Sequence, residues 1–283
     1  MRLQTALFLS LSAVGLMATG AAHAHGGGHK KPAKNDSVVR EIATIADGDH
    51  RSEKNRARNA SRRPAQTLAF FGIKPDMTVV EVAPGGGWYT EVLAPYLKQN
   101  GKYYAAHYDP NHEREYYRNS VKRYGEKLSA NPALYGDVEL TVFSPPETMA
   151  PAPDGSADMV ITFRNTHGWM RGGHAEAAFA AMHKALKPGG ILGIVQHRGD
   201  PKKDQDPEAG SGYVREDLMI KMVEAAGFKL EDHSEINANP RDTKDYPQGV
   251  WNLPPSFRDK DVERAKYAAI GESDRMTLKF VKK

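Results

Sequence analysis

An apolar run, Thr78-Val79-Val80-Glu81-Val82, breaks into Ala83-Pro84-Gly85-Gly86-Gly87 and is followed at once by an amphipathic segment carrying Val92, Leu93, Tyr96 and Leu97. β-Branched residues in a short run favour a buried strand, and glycines release the backbone into a sharp turn. The spacing of the apolar residues after the turn is helical, with Pro95 placed to bend the helix near its end. Strand, glycine loop and helix in this order make a βα unit, whose helix N-terminus draws anionic or polar ligand groups.

The rest of the chain repeats the unit. Further strands are predicted at 102–108, 138–143, 159–163 and 191–196, with helices at 111–129, 174–186 and 215–226 between or after them. Two last strands, 228–236 and 276–281, make seven, and the Pro- and charge-rich stretch 237–273 is an insertion before the final one. Apolar strands alternating with helices point to a doubly wound, mostly parallel α/β sheet covered on both faces.

The N-terminus reads as a processing signal. Arg2 precedes an apolar run from Ala6 to Met17, and small residues then lead to Ala22-His23-Ala24. This is the layout of a secretory signal peptide cleaved after Ala24. The run falls short of the ~20 apolar residues of a membrane span. The expected location is periplasmic or secreted, with no transmembrane segment after cleavage and an uncleaved anchor as the alternative. The chain contains no Cys, which excludes disulfides, thiol nucleophiles and Cys-based metal sites. After residues 1–24, residues 25–48 are expected to form a linker and a short helix with Val39, Ile42 and Ile45 on one face, and 49–283 the main domain. His25 and His29 either bind Cu²⁺ or Zn²⁺ or belong to a flexible leader, and the leader is favoured because two ligands are too few.

Arg51, Lys54, Arg56, Arg58, Arg62 and Arg63 crowd one segment against Glu53 alone. Such a run either meets an anion or forms a solvated helix face. The solvated face is favoured, and nucleic acid is disfavoured, because the net charge is only +4 and no aromatic residues interleave with the arginines.

The glycine loop, the turn Leu186-Lys187-Pro188-Gly189-Gly190 and the strand entry Gly155-Ser156-Ala157-Asp158-Met159-Val160 together resemble the class I S-adenosylmethionine-dependent methyltransferases. More narrowly, the stretch Val79–Thr90 with Arg164-Asn165-Thr166-His167-Gly168-Trp169 resembles an exported bacterial group of that family. The resemblance implies a Rossmann-like sheet of methyltransferase type with an N-terminal helical extension, and S-adenosylmethionine as cofactor. It further implies that Glu81, Ala83, Gly85, Gly86 and Gly87 line the methionine end of the cofactor. Arg164 would join them, and the end of the second strand would hold the ribose hydroxyls.

The chain departs from the family pattern at three places. Ala83 stands where the first glycine is usual, a small loss if that turn is not left-handed. His107 occupies the ribose-acid position, with Asp109 two residues later. Glu147, after the third strand, is the available carboxylate for the adenine amino group.

In open α/β sheets ligands bind beyond the carboxyl ends of the strands. His107, His167 and His197 all fall at such ends, with Asn165 beside His167. Asn165, His167 and His197 are the candidate catalytic residues, a histidine serving as base where the acceptor must lose a proton. The acceptor, a small molecule or peptide, is not specified by the sequence. The rival reading is an exported non-catalytic binding protein that uses the His-lined cleft for a small ligand or metal. Trp88, Tyr89 and Trp169 either stack on a ligand or pack the core, and Trp251 either covers the strand ends or anchors a surface loop.

Overall fold

A computed structural model describes residues 34–283. The leader, its cleavage site and the His25/His29 tract lie outside the described residues. The strands are β1 (Thr78–Val82), β2 (Lys102–His107), β3 (Val138–Ser144), β4 (Thr148–Met149), β5 (Ala157–Phe163), β6 (Leu186–His197), β7 (Phe228–Ser234) and β8 (Arg275–Lys282). They form one sheet in the order β4-β3-β2-β1-β5-β6-β8-β7. Strands β3, β2, β1, β5 and β6 run parallel, while β8 is antiparallel to both β6 and β7.

The sheet is therefore the expected Rossmann-like one, with eight strands where seven were predicted. The additional strand is β4, which pairs antiparallel with the end of β3 through Phe143–Met149 and Ser144–Thr148. Two residues are too few to leave a period-two signature in the sequence.

Alternation along the strands builds a core on each face. Val80 and Val82 join Val160, Leu192, Phe179, Met182 and Val223, which brings in helices Ala175–Ala185 and Glu216–Ala225. Val79 joins Tyr103, Ile161, Leu68, Val92 and Leu93 on the other face, under helices Pro64–Phe71 and Thr90–Leu97. The first described helix, Lys34–Ala46, adds Ile42 and Ala46 to this second core. The basic run follows it as two single-turn helices, Glu53–Arg56 and Asn59–Arg62, which reach the carboxyl end of β1 through Asn55, Arg58 and Arg62. Among the described residues no helix is long and apolar enough to cross a membrane.

Candidate active site

The glycine loop is left-handed at Ala83 (φ +54°), Gly85 (φ +59°) and Gly87 (φ +75°). The first of these corrects the expectation of a small loss at Ala83: a residue with a Cβ in this region carries about 1–2 kcal/mol of strain. Asn165 secures the turn, its amide donating to Val82 O (3.0 Å), Ala83 O (3.4 Å) and Thr162 Oγ1 (2.9 Å). The glycines divide in purpose. A Cβ on Gly85 or Gly86 would meet nothing within 4 Å, whereas one on Gly87 would lie 3.0 Å from the Tyr124 ring. Gly85 and Gly86 face a cleft, and Gly87 allows packing.

Two adjoining cavities occupy the carboxyl edge of the sheet. One, of about 430 Å³, is lined by Glu81, Ala83, Gly85, Gly86 and His197, and also by Arg58 and Arg62. The other, of about 850 Å³, is lined by Tyr108, Asp109, Pro145, Pro146 and Glu147. Arg164, Asn165, His167 and Trp251 border both. Volumes of this size suit small molecules. Gly87 and His107 line neither cavity.

His107 is buried at the end of β2 and clamps the loop. Its Nδ1 accepts from the Tyr108 N–H at 2.8 Å, so Nε2 carries the proton and donates to Gly85 O at 3.1 Å. A carboxylate here would set acceptor against acceptor. Burial lowers the His107 pKa, which keeps the ring neutral. Asp109 is half-buried at the mouth of the second cavity, one oxygen accepting from the Asn111 N–H at 2.7 Å.

Arg164 has φ +64°, held there as its N–H donates to Val195 O at 2.7 Å. Asp158, nearby in sequence, is bound by Lys187 (2.6 Å) and the Thr78 N–H (2.8 Å). Burial, reinforced by Arg275, draws the Arg164 pKa down to about 10, and the group remains charged. His167 and His197 approach with ring centres 5.7 Å apart. Burial and the nearby Arg171 lower the His167 pKa to about 4, and its Nδ1 accepts from Gln196 at 3.3 Å. His197 is hydrogen-bonded to the Ser273 hydroxyl at 2.5 Å, and burial, His167 and Arg164 push its pKa well below the usual range. Both rings are neutral at pH 7 and weak as bases. Among the described residues no three His, Asp or Glu side chains are grouped to hold a metal ion.

The basic run is not the solvated face favoured from sequence. Arg51 and Arg62 are 1% and 5% exposed, and their guanidinium groups lie over the Trp88 ring, 4.6 and 4.7 Å from its centre. Carboxylates distant in sequence draw them in. Arg51 pairs with Glu91 at 3.0 Å, and Glu272 accepts from Arg58 (2.8 Å), Arg62 (3.3 Å) and Arg275 (3.1 Å). Sequence reasoning missed Arg58, Arg62 and Glu272 as site residues. The local signals for the arginines were the basic run itself, read there as a solvated face, and the four-residue spacing of Arg58 and Arg62. Tyr89 stacks on Phe163 at 3.6 Å and so packs its helix onto the sheet. Trp169 is buried edge-on to Phe143 and Phe179, and also borders the second cavity. Trp251, on a one-turn 3-10 helix at Gly249–Asn252, lies over the strand ends, 5.8 Å from the His167 ring.

Glu81 is the buried acid of the first cavity. It accepts from the Tyr103 hydroxyl at 2.5 Å, and Thr90 Oγ1 links that hydroxyl to the one on Tyr124. Burial raises its pKa to about 7, against the lowering effects of Tyr103 and Arg164. Below pH 4.5 the acid is protonated in both states; as pH rises from there to about 7 the native state holds its proton more tightly and stability falls. The fall is at most about 3 kcal/mol. His167 acts in the opposite sense, its contribution being lost as pH drops from 6.5 through about 4. The difference between wild type and Glu81→Gln isolates the acid. Urea unfolding should show the variant gaining on wild type by 2–3 kcal/mol (an approximate range) between pH 5 and pH 8. Parallel stability curves would show that Glu81 ionises as freely in the fold as outside it.

A family described as a methyltransferase domain matches residues 55–233. A sterol 24-C-methyltransferase of Gibberella zeae is 27% identical over 205 residues, covering 66% of this chain and 48% of the relative. The chain thus spans about half the length of that curated relative. Among solved structures, an S-adenosylmethionine-dependent methyltransferase from Aquifex aeolicus superposes with a TM-score of 0.53 at 19% identity, covering 86% of this chain and 97% of the other. The cyclase SpnF superposes with a TM-score of 0.54 at 15% identity, over 87% and 93% of the two chains. These likenesses establish the fold and leave the chemistry to the site.

Proposed function

Because the chain belongs to the methyltransferase domain family, we propose that it uses S-adenosylmethionine to methylate an acceptor seated in the cavity under Arg58 and Arg62. The observation that carries this is the open cradle at Gly85 and Gly86, in one cavity with the buried acid Glu81 and next to the cavity that holds the carboxylate of Asp109. Asp109 suits the ribose hydroxyls and Glu147 the adenine amino group, while Glu81 and Arg164 suit the ammonium and carboxylate of the methionine end. When bound, the cofactor supplies an electrophilic methyl group on a sulfonium, whose thioether leaves without a proton.

The chain's own residues position rather than activate. With Nδ1 of His167 engaged by Gln196, the neutral ring presents Nε2–H as a donor to the acceptor. Asn165 acts through the loop, since its amide hydrogens hold the ends of β1 and β5 together. A sterol, the acceptor in the name of the Gibberella zeae relative, suits this cavity poorly, because an apolar skeleton would leave buried guanidinium groups without partners. Export under the leader ending at Ala24 is part of the proposal, and a periplasmic extract should contain a chain beginning at His25.

Calorimetric titration with S-adenosylhomocysteine tests the reading. Saturable binding is expected, and Asp109→Asn should weaken it by about 10- to 100-fold, the worth of a charge-assisted hydrogen bond of roughly 1.5–3 kcal/mol. No binding at millimolar ligand would remove methyl transfer and leave the non-catalytic binding protein.

A further inference from the structure

We propose that the methyl acceptor is an anion, docked through a carboxylate or phosphate group on the free edges of Arg58 and Arg62; this rests on the methyl-transfer reading above. Arg62 is 5% exposed, yet only its Nε is bonded, to Glu272, and neither terminal nitrogen makes a hydrogen bond among the described residues. Arg58 likewise uses Nε alone, and its Nη2 is buried without a partner. The Arg164 guanidinium makes no hydrogen bond to the described residues. Buried polar groups are normally satisfied, and charged ones are the most costly to leave unmet. The two forked donor groups of Arg58 and Arg62, lining the same cavity, match the oxygens of a carboxylate or phosphate.

The charge balance points the same way. Arg275 stands behind the cavity and shares Glu272 with Arg58 and Arg62, so one carboxylate serves three guanidinium groups. The cofactor brings a sulfonium and an ammonium against a single carboxylate, and so adds positive charge. Its carboxylate can occupy Arg164, which borders both cavities. With Arg164 so engaged, the donors of Arg58 and Arg62 in the first cavity are left for the other substrate.

The test titrates the full chain, saturated with S-adenosylhomocysteine, with inorganic phosphate and separately with acetate at low salt. Saturable binding of either anion is expected, and the tighter one identifies the acceptor's group. Arg58→Gln should weaken anion binding at least about tenfold while S-adenosylhomocysteine affinity stays within about twofold, and Arg58→Lys should restore part of the loss. Arg164→Gln, checked for its fold by circular dichroism, should instead weaken S-adenosylhomocysteine, whose carboxylate it is assigned to hold. Two results overturn the proposal and leave the cofactor reading intact: no anion binding to the loaded chain, or anion binding that competes with S-adenosylhomocysteine and ignores Arg58. Failure of S-adenosylhomocysteine to bind overturns the cofactor reading and the acceptor assignment with it.

Discussion

Gly85→Val should keep most of its stability and lose S-adenosylhomocysteine binding by at least about a hundredfold, or roughly 2.7 kcal/mol, whereas Gly87→Val should be strongly destabilised. The two residues share a loop and a left-handed backbone, at φ +59° and +75°. A β-branched residue there costs about 1–2 kcal/mol of strain, which a domain of ordinary stability, about 5–15 kcal/mol, survives. At Gly85 a side chain meets nothing within 4 Å, so its atoms enter the cleft where a ligand would lie. At Gly87 it would meet the Tyr124 ring at 3.0 Å, Thr90 Oγ1 at 3.2 Å and the Lys127 stem at 3.3 Å. Tyr124 is 1% exposed and bonded to Thr90, so it has nowhere to move. Overpacking and strain together should cost Gly87→Val about 3–5 kcal/mol. Urea midpoints and calorimetry separate the two effects. A Gly85→Val protein that binds with wild-type affinity would show that the loop does not face the ligand.

Glu272→Gln should be the most destabilising single polar substitution at the site, by about 3–5 kcal/mol at pH 7, because it leaves buried cations uncompensated. Glu272 is 9% exposed and accepts from Arg58, Arg62 and Arg275. Burial alone would raise its pKa, but Arg62, Arg275 and Arg58 outweigh burial and hold it at about 2. The folded value lies below the ordinary 4.5, so this carboxylate's contribution is complete above pH 4.5 and is lost as pH falls through about 2. The gap between wild type and variant should therefore be widest near neutrality and close in strong acid. Adding Arg58→Met to Glu272→Gln should recover part of the loss by removing one stranded charge. A variant as stable as wild type at pH 7 would mean that water, rather than Glu272, compensates the guanidinium groups.

These effects differ in how far they could be anticipated. The strands, the glycine loop and the helix after it carry local signals: β-branched runs, turn glycines and helical spacing of apolar residues. Each is written within a dozen neighbouring positions. The placement of His167 and His197 at strand ends followed from the same reasoning, and the pairing of β5 with β6 makes those ends neighbours. His107 was legible as a residue at the end of β2 and illegible in role, because its function depends on Gly85 O coming within 3.1 Å. Ala83 gave no sign of its left-handed turn, since alanine does not favour that conformation and is held in it by Asn165, 82 positions away.

The amino-acid sequence by itself determined a doubly wound sheet, the edge at which such sheets bind ligands, and the glycine loop that opens there. Those features arise from contacts between near neighbours and from the handedness of βα units. Only the tertiary structure decided what that edge is made of. Glu272 lies 214 and 210 positions from Arg58 and Arg62, and no local pattern announces a pairing across that distance. Folding brings the basic run and the segment before the last strand together over the glycine loop. A stretch that reads locally as a solvated basic face thereby becomes the charged wall of the cavity.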